Sequence, residues 1–339
     1  MEVVNISLTS LLKNGMGIKI SQLIPIPYET VEQNLEIKAP VITKNAPAIG
    51  VAFDYLLRNE LKRSHPDSVE ATTVASQSID IVKNHIALNK KCVLRNKVLH
   101  KSDLIKLKEL ETNYFNARKE FYESGKLTEK FLELTVKFSR LDSIYRAGTY
   151  TDFTEEVPMQ DIDDLRSLYI IIPEKFKNLG DKWILDMGFG NSSKIVGGAD
   201  VDLITGNTMI DIKTTKRIKL GDYEWGQLVG YAVLAEIERG NDISFPRIDR
   251  LGLYFSRYAY IWTIDSQHIY RNPNYKKVKE LILSSGGNFG RLRMDERDHI
   301  TYYGDEIPDE YKKDFFGTDN TTYGGSIDEF FRKNKEFRR

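Results

Sequence analysis

Apolar and polar positions alternate most regularly over residues 197–213, GGADVDLITGNTMIDIK. A period of two predicts strands over residues 199–205 and 208–213. Gly206 and Asn207 between them are a two-residue hairpin signal, since primed turns need positive φ. Counting outward from the turn, Thr205 faces Thr208, Ile204 faces Met209 and Leu203 faces Ile210. Asp202 then faces Asp211, and Asp200 faces Lys213. Alternation puts Asp200, Asp202, Asp211 and Lys213 on one face, with Val201, Leu203, Ile210 and Ile212 on the other.

Helical spacing dominates elsewhere. Val51, Phe53, Tyr55, Leu56, Leu57 and Leu61 predict a helix over residues 46–63. Leu127, Phe131, Leu134, Phe138 and Leu141 form one apolar stripe, and Leu104, Leu107, Tyr114 and Phe121 a second. Ser124-Gly125 breaks them, so residues 102–143 predict an antiparallel helical hairpin inside an all-helical insertion over residues 65–150. A further helix begins near Pro158, with Asp161, Asp163 and Asp164 suiting its dipole. A strand over residues 183–189 turns through Gly188, Gly190 and Asn191 towards the hairpin. Residues 223–239 predict a helix capped by Asp222, with Gly226 and Gly230 on a face suited to close approach to sheet or substrate. Strands over residues 248–255 and 258–264 and a helix after Tyr275 follow. Residues 1–45 offer only short apolar pieces with prolines between them.

The expected fold is α/β, with a mixed central sheet flanked by helices. The expected organisation is the N-terminal part of the core over residues 1–64, the helical insertion over 65–150, the core with its hairpin over 151–285 and a polar, basic tail over 286–339. Lys and Arg number 49 and so do Asp and Glu, so any nucleic-acid footprint must be local. The single cysteine, Cys92, excludes a disulfide framework and four-cysteine zinc or iron–sulfur sites. With neither a signal-peptide pattern nor a membrane-length apolar run, the expectation is a soluble, cytoplasmic protein with no membrane partner.

Three carboxylates beside one ammonium on a hairpin face repel one another unless a cation joins them. Hard carboxylate oxygens suit magnesium, which leaves room for substrate phosphate. The lysine is placed to orient a water or to stabilise charge on phosphorus. A simply solvated hairpin face is the plainer alternative.

An Asp on one strand and Asp211-Ile212-Lys213 on its partner resemble the PD-(D/E)xK nuclease superfamily, which includes restriction endonucleases, RecB-like exonucleases and archaeal Holliday-junction resolvases. No proline precedes the first acid; Ala199-Asp200 and Val201-Asp202 both answer to it, and hairpin symmetry favours Asp202. Gln227 and Tyr231, in GQLVGY, resemble the QxxxY motif of the RecB-like branch. Gly50-x-x-x-Asp54 resembles the small residue and acid on the first helix of several members, although Arg58, four residues on, is an equally natural partner for Asp54.

The resemblance implies a restriction-endonuclease-like core and metal-dependent phosphodiester hydrolysis, with DNA the expected substrate and a 5′-phosphate product. Asp200, Asp202, Asp211, the Ile212 carbonyl and Asp54 would hold magnesium, with manganese able to stand in and no iron–sulfur cluster. Lys213 would position water, and Gln227 and Tyr231 would orient the lysine or the substrate. Lys216, Arg217 and Lys219 are candidates for phosphate contact or a plain solubilising loop. Two other classes fit the sequence: a catalytically silent nucleic-acid-binding protein on this fold, and an adaptor using the helical insertion for a protein partner or self-association.

Overall fold

The computed structural model describes residues 7–32 and 34–287. The basic segment near the C-terminus lies outside them. The N-terminal segment, expected only as short pieces, forms α1 (Leu8–Leu11) and α2 (Gly17–Leu23), joined through a kink at Asn14 and Gly15. Then come α3 (Ala46–Ser64), β1 (Val69–Glu70), α4 (Val74–Asn89), β2 (Cys92–Val93) and β3 (Val98–Leu99). The helices α5 (Lys101–Ser124), α6 (Glu129–Ser139), α7 (Asp142–Ala147), α8 (Met159–Ile170) and α9 (Glu174–Lys177) follow. The chain continues through β4 (Trp183–Gly188), α10 (Gly190–Ile195), β5 (Asp200–Thr205), β6 (Thr208–Lys213) and α11 (Asp222–Asn241). The described residues close with β7 (Arg250–Phe255), β8 (Tyr260–Asp265), α12 (Gln267–Tyr270) and α13 (Tyr275–Gly287). None of the described helices is long and apolar enough to cross a membrane.

Six strands form a mixed sheet in the order β1-β4-β5-β6-β7-β8. The β1–β4 and β6–β7 pairs are parallel and the others antiparallel. The segment over residues 65–150 is therefore not all helical: β1 pairs with the main sheet and β2 and β3 make a small ribbon. Nor do its helices stand off as an arm. Leu107, Tyr114, Phe121, Phe131 and Phe138 share one core with Phe53 and Leu57 of α3, Leu165 of α8 and Trp183 and Leu185 of the sheet. The two apolar stripes do pair as expected, with Tyr114 stacked on Phe138 at 4.2 Å.

The opposite face of the sheet carries α11, α13 and the N-terminal helices. Gly226 and Gly230 serve that contact, so their close approach is to the N-terminal helices and not to sheet or substrate. A Cβ at Gly226 would come within 2.7 Å of Leu12 Cδ2, and one at Gly230 within 2.8 Å of Leu8 Cδ2. Asp222 is the first residue of α11 and not its cap; the Gly221 N–H before it donates to Glu224 Oε2 at 3.0 Å. Arg257, in the turn between β7 and β8, makes a fully buried fork onto Asp164 of α8 at 2.8 and 2.9 Å. Asp164 thus has a structural partner far from its own helix end.

The alternation of β4 and β5 breaks at one level. Trp183 and Leu185 face the helical layer, but Met187 packs into the α11 side. Leu203 likewise faces the helical layer while Val201 faces α11. Between them lie Asp186 and Asp202, which are not paired although their neighbours on both sides are. Asp186 has φ 59°, a left-handed conformation uncommon outside glycine and tolerated best by Asn and Asp. One such residue turns the following side chains over to the other face.

Candidate active site

The hairpin ladder holds at Thr205–Thr208, Ile204–Met209 and Leu203–Ile210, as the sequence predicts, and then opens. Asp202 and Asp211 are not backbone partners, and Asp200 pairs with Gly188 of β4 instead of Lys213. Asp202 fills the opening with its side chain, where Oδ2 accepts the Ile212 N–H at 2.6 Å. The N–H and C=O of a strand residue point to the same edge, so the Ile212 carbonyl also faces the gap. Val201 is correspondingly turned away from Leu203, Ile210 and Ile212.

From the α11 side, a chain of hydrogen bonds runs into this gap. Lys213 Nζ lies 2.6 Å from Asp211 Oδ2 and donates to Gln227 Oε1 at 2.7 Å. Gln227 Nε2 donates to the Tyr231 hydroxyl at 2.7 Å, and that hydroxyl donates to the Asp200 carbonyl at 2.7 Å. Gln227 and Tyr231 are one helical turn apart, which puts both on the face of α11 that meets β5 and β6. Burial disfavours the Lys213 ammonium, but Asp211, with Tyr223 and Asp202, outweighs it and lifts the pKa above the usual lysine value. Burial and then Asp211 push the Tyr231 phenol well up, so it stays a neutral donor.

From the helical layer comes Asp54 of α3. Its Oδ2 accepts from Arg58 Nη2 at 2.6 Å, while its Oδ1 is buried without a hydrogen bond. The expected Arg58 pair of Asp54 exists, and the carboxylate also raises the pKa of Asp202. Burial acts first on Asp202, then Asp211 and Asp54, and together they push it well above the usual carboxylate range. Burial likewise pushes Asp54 up to about 6, against the pull of Arg58.

Residues that the sequence pattern did not single out complete the cluster. Asp186 contacts Arg58, and Asp142 accepts the Tyr55 hydroxyl at 2.6 Å. Arg146, on the rim, interacts with Asp142, Asp200 and Asp186. A lone acid in the apolar run Ile184-Leu185-Asp186-Met187 is the one signal that was available for Asp186.

Six carboxylates, of Asp54, Asp142, Asp186, Asp200, Asp202 and Asp211, thus meet the three cations Arg58, Arg146 and Lys213. Among the described residues no three acidic, His or Cys side chains are already drawn together tightly enough to enclose an ion. The donors nonetheless fit one: hard oxygens, an excess of negative charge, and the buried Oδ1 of Asp54 without a hydrogen bond. Asp200 stands further out, exposed beside Gly188.

Lys216, Arg217 and Lys219 are exposed and line a cleft of about 260 Å³ with Lys213, Thr215, Glu224 and Phe255. The basic loop therefore adjoins Lys213 directly. No protein-family model, curated protein or solved structure matches the chain.

Proposed function

We propose that the protein is a metal-dependent nuclease with a restriction-endonuclease-like core, hydrolysing phosphodiester bonds in DNA. One observation carries the reading. Asp202 and Asp211 flank an opened strand pair, and Lys213 is held beside them by Gln227 and Tyr231. A solvated hairpin face has no need of a half-buried lysine anchored through two further side chains.

In this reading Asp202, Asp211, Asp54 and the Ile212 carbonyl hold magnesium or manganese, with Asp200 at the rim. The bound ion would neutralise phosphoryl charge and lower the pKa of a water. Lys213 keeps its proton and donates to the attacking water or to charge growing on the phosphoryl oxygens. Gln227 fixes the lysine head, and Tyr231 ties Gln227 to the backbone of β5. Lys216, Arg217 and Lys219 grip neighbouring phosphates, which sets register without reading sequence.

The test is a cleavage panel on end-labelled linear, circular and single-stranded DNA with magnesium, manganese or chelator. Metal-dependent cutting of at least one substrate is expected. Tight binding without cutting of any would put the silent nucleic-acid-binding reading in its place.

A further inference from the structure

Arg58 is almost entirely buried, at 3% side-chain exposure, and three groups hold it. Its Nη2 meets Asp54 Oδ2 at 2.6 Å, its Nη1 contacts Asp186 Oδ2, and its guanidinium lies 4.7 Å from the centre of the Tyr55 ring. Tyr55 is fixed in turn: its hydroxyl donates to Asp142 at 2.6 Å and accepts the Ala75 N–H at 3.0 Å. A planar guanidinium pinned at both prongs and one face has little freedom left.

Asp186 is the unusual member. It occupies the left-handed backbone position that interrupts β4 and lies level with Asp202. A strained backbone at a carboxylate that does nothing but bind an arginine would be costly to keep. The arginine it binds, however, grips one oxygen of Asp54 and leaves the other buried and unbonded, in a carboxylate whose charge is felt by Asp202.

We propose that Asp186 and Arg58 are positioning residues for the metal: Asp186 anchors Arg58, and Arg58 holds Asp54 by Oδ2 so that Oδ1 serves the ion shared with Asp202 and Asp211. The proposal rests on the metal-dependent reading above. Neither Asp186 nor Arg58 touches the ion. They act on it through Asp54 alone, as partners of a ligand do at many metal sites.

Acting through Asp54 alone has a thermodynamic signature. Manganese affinity is measured by calorimetry, without DNA, on the wild type, Asp54→Asn, Asp186→Asn, Arg58→Lys and Asp54→Asn/Asp186→Asn. Asn is close to Asp in shape and tolerates left-handed φ, and thermal melts report whether each variant folds. Asp186→Asn should weaken manganese binding about 10-fold, the usual scale for a ligand's partner. Arg58→Lys, which keeps the charge but not the two-pronged grip, should do the same, and decides alone if Asp186→Asn does not fold. The double variant should bind no more weakly than Asp54→Asn, because the route through Asp54 is already cut. Wild-type affinity in folded Asp186→Asn or Arg58→Lys, or losses that multiply in the double variant, would overturn the proposal and leave the nuclease reading intact. A wild type that binds no manganese would remove the metal reading itself.

Discussion

Asp202 takes the hydrogen bond of Ile212 that a regular hairpin would give to the backbone: its Oδ2 accepts that N–H at 2.6 Å. One side chain thus has two duties, closing the strand pair and supplying charge, and two substitutions separate them. Asp202→Asn keeps an acceptor for Ile212 and should melt near the wild type, yet lose metal binding and cleavage. Asp202→Ala also strands the Ile212 N–H and should cost a further ~1–3 kcal/mol of stability. Equal melting of the two variants would show that the bond does not hold the strands.

Lys213→Ala should keep the fold and bind manganese, because the carboxylates remain. Cleavage should fall by about 10²–10³, the typical loss for one preorganised electrostatic contact. Asp211→Asn should lose both metal and cleavage, while DNA retention on gels persists for each through phosphate contacts. Cleavage by Lys213→Ala at the wild-type rate would remove the lysine from the chemistry.

Burial pushes Asp54 and Asp142 up to about 6 from an ordinary 3.8. Between those values the folded chain carries protons that the unfolded chain has released, so stability should rise on acidification. Going from about pH 7 to about pH 5 without metal, each group should add roughly 1 kcal/mol. Glu60, whose pKa is lowered despite burial because Arg63 binds it, works in the opposite sense only below its ordinary 4.5. Denaturation in chelator across this range, on the wild type and Asp142→Asn, measures the slope. The variant should be flatter, and a wild type that weakens steadily over the same range would contradict the assignment.

Phe138 stacks on Tyr114 and is fully buried in the core between the helical layer and the sheet. Phe138→Ala should cost about 3–5 kcal/mol. Removing residues 101–147 should leave a chain that does not fold, since α3 and α8 would lose the helices that cover them. A cooperative melt from the shortened protein would restore the picture of a detachable arm.

The sequence made the hairpin, its turn and the helical face of Gln227 and Tyr231 legible, because each is a local repeat. It could not show that pairing stops at Leu203–Ile210. The opening lies level with Asp186, a residue of another strand whose left-handed backbone no local period announces. The six-carboxylate cluster was hidden for a similar reason: Asp54, Asp142 and Asp186 lie on separate elements that only the tertiary fold brings together. Strand β1 was invisible because two residues have no period, and Arg257 because its partner Asp164 lies on α8, far away in sequence.

Those two residues of β1 matter beyond their length. Val69 and Glu70 lie against Ile184 and Leu185, although almost the entire helical layer separates them in sequence. The strands β4 to β8 can assemble from consecutive chain, but their outer edge is covered only by a segment made much earlier and recruited from afar. Until it docks, β4 presents an apolar edge with open hydrogen-bonding groups, the kind of template to which a second copy can add. In the folded chain β1 closes that edge over Ile184 and Leu185, so the helices that carry it and the sheet must come together for the edge to be covered.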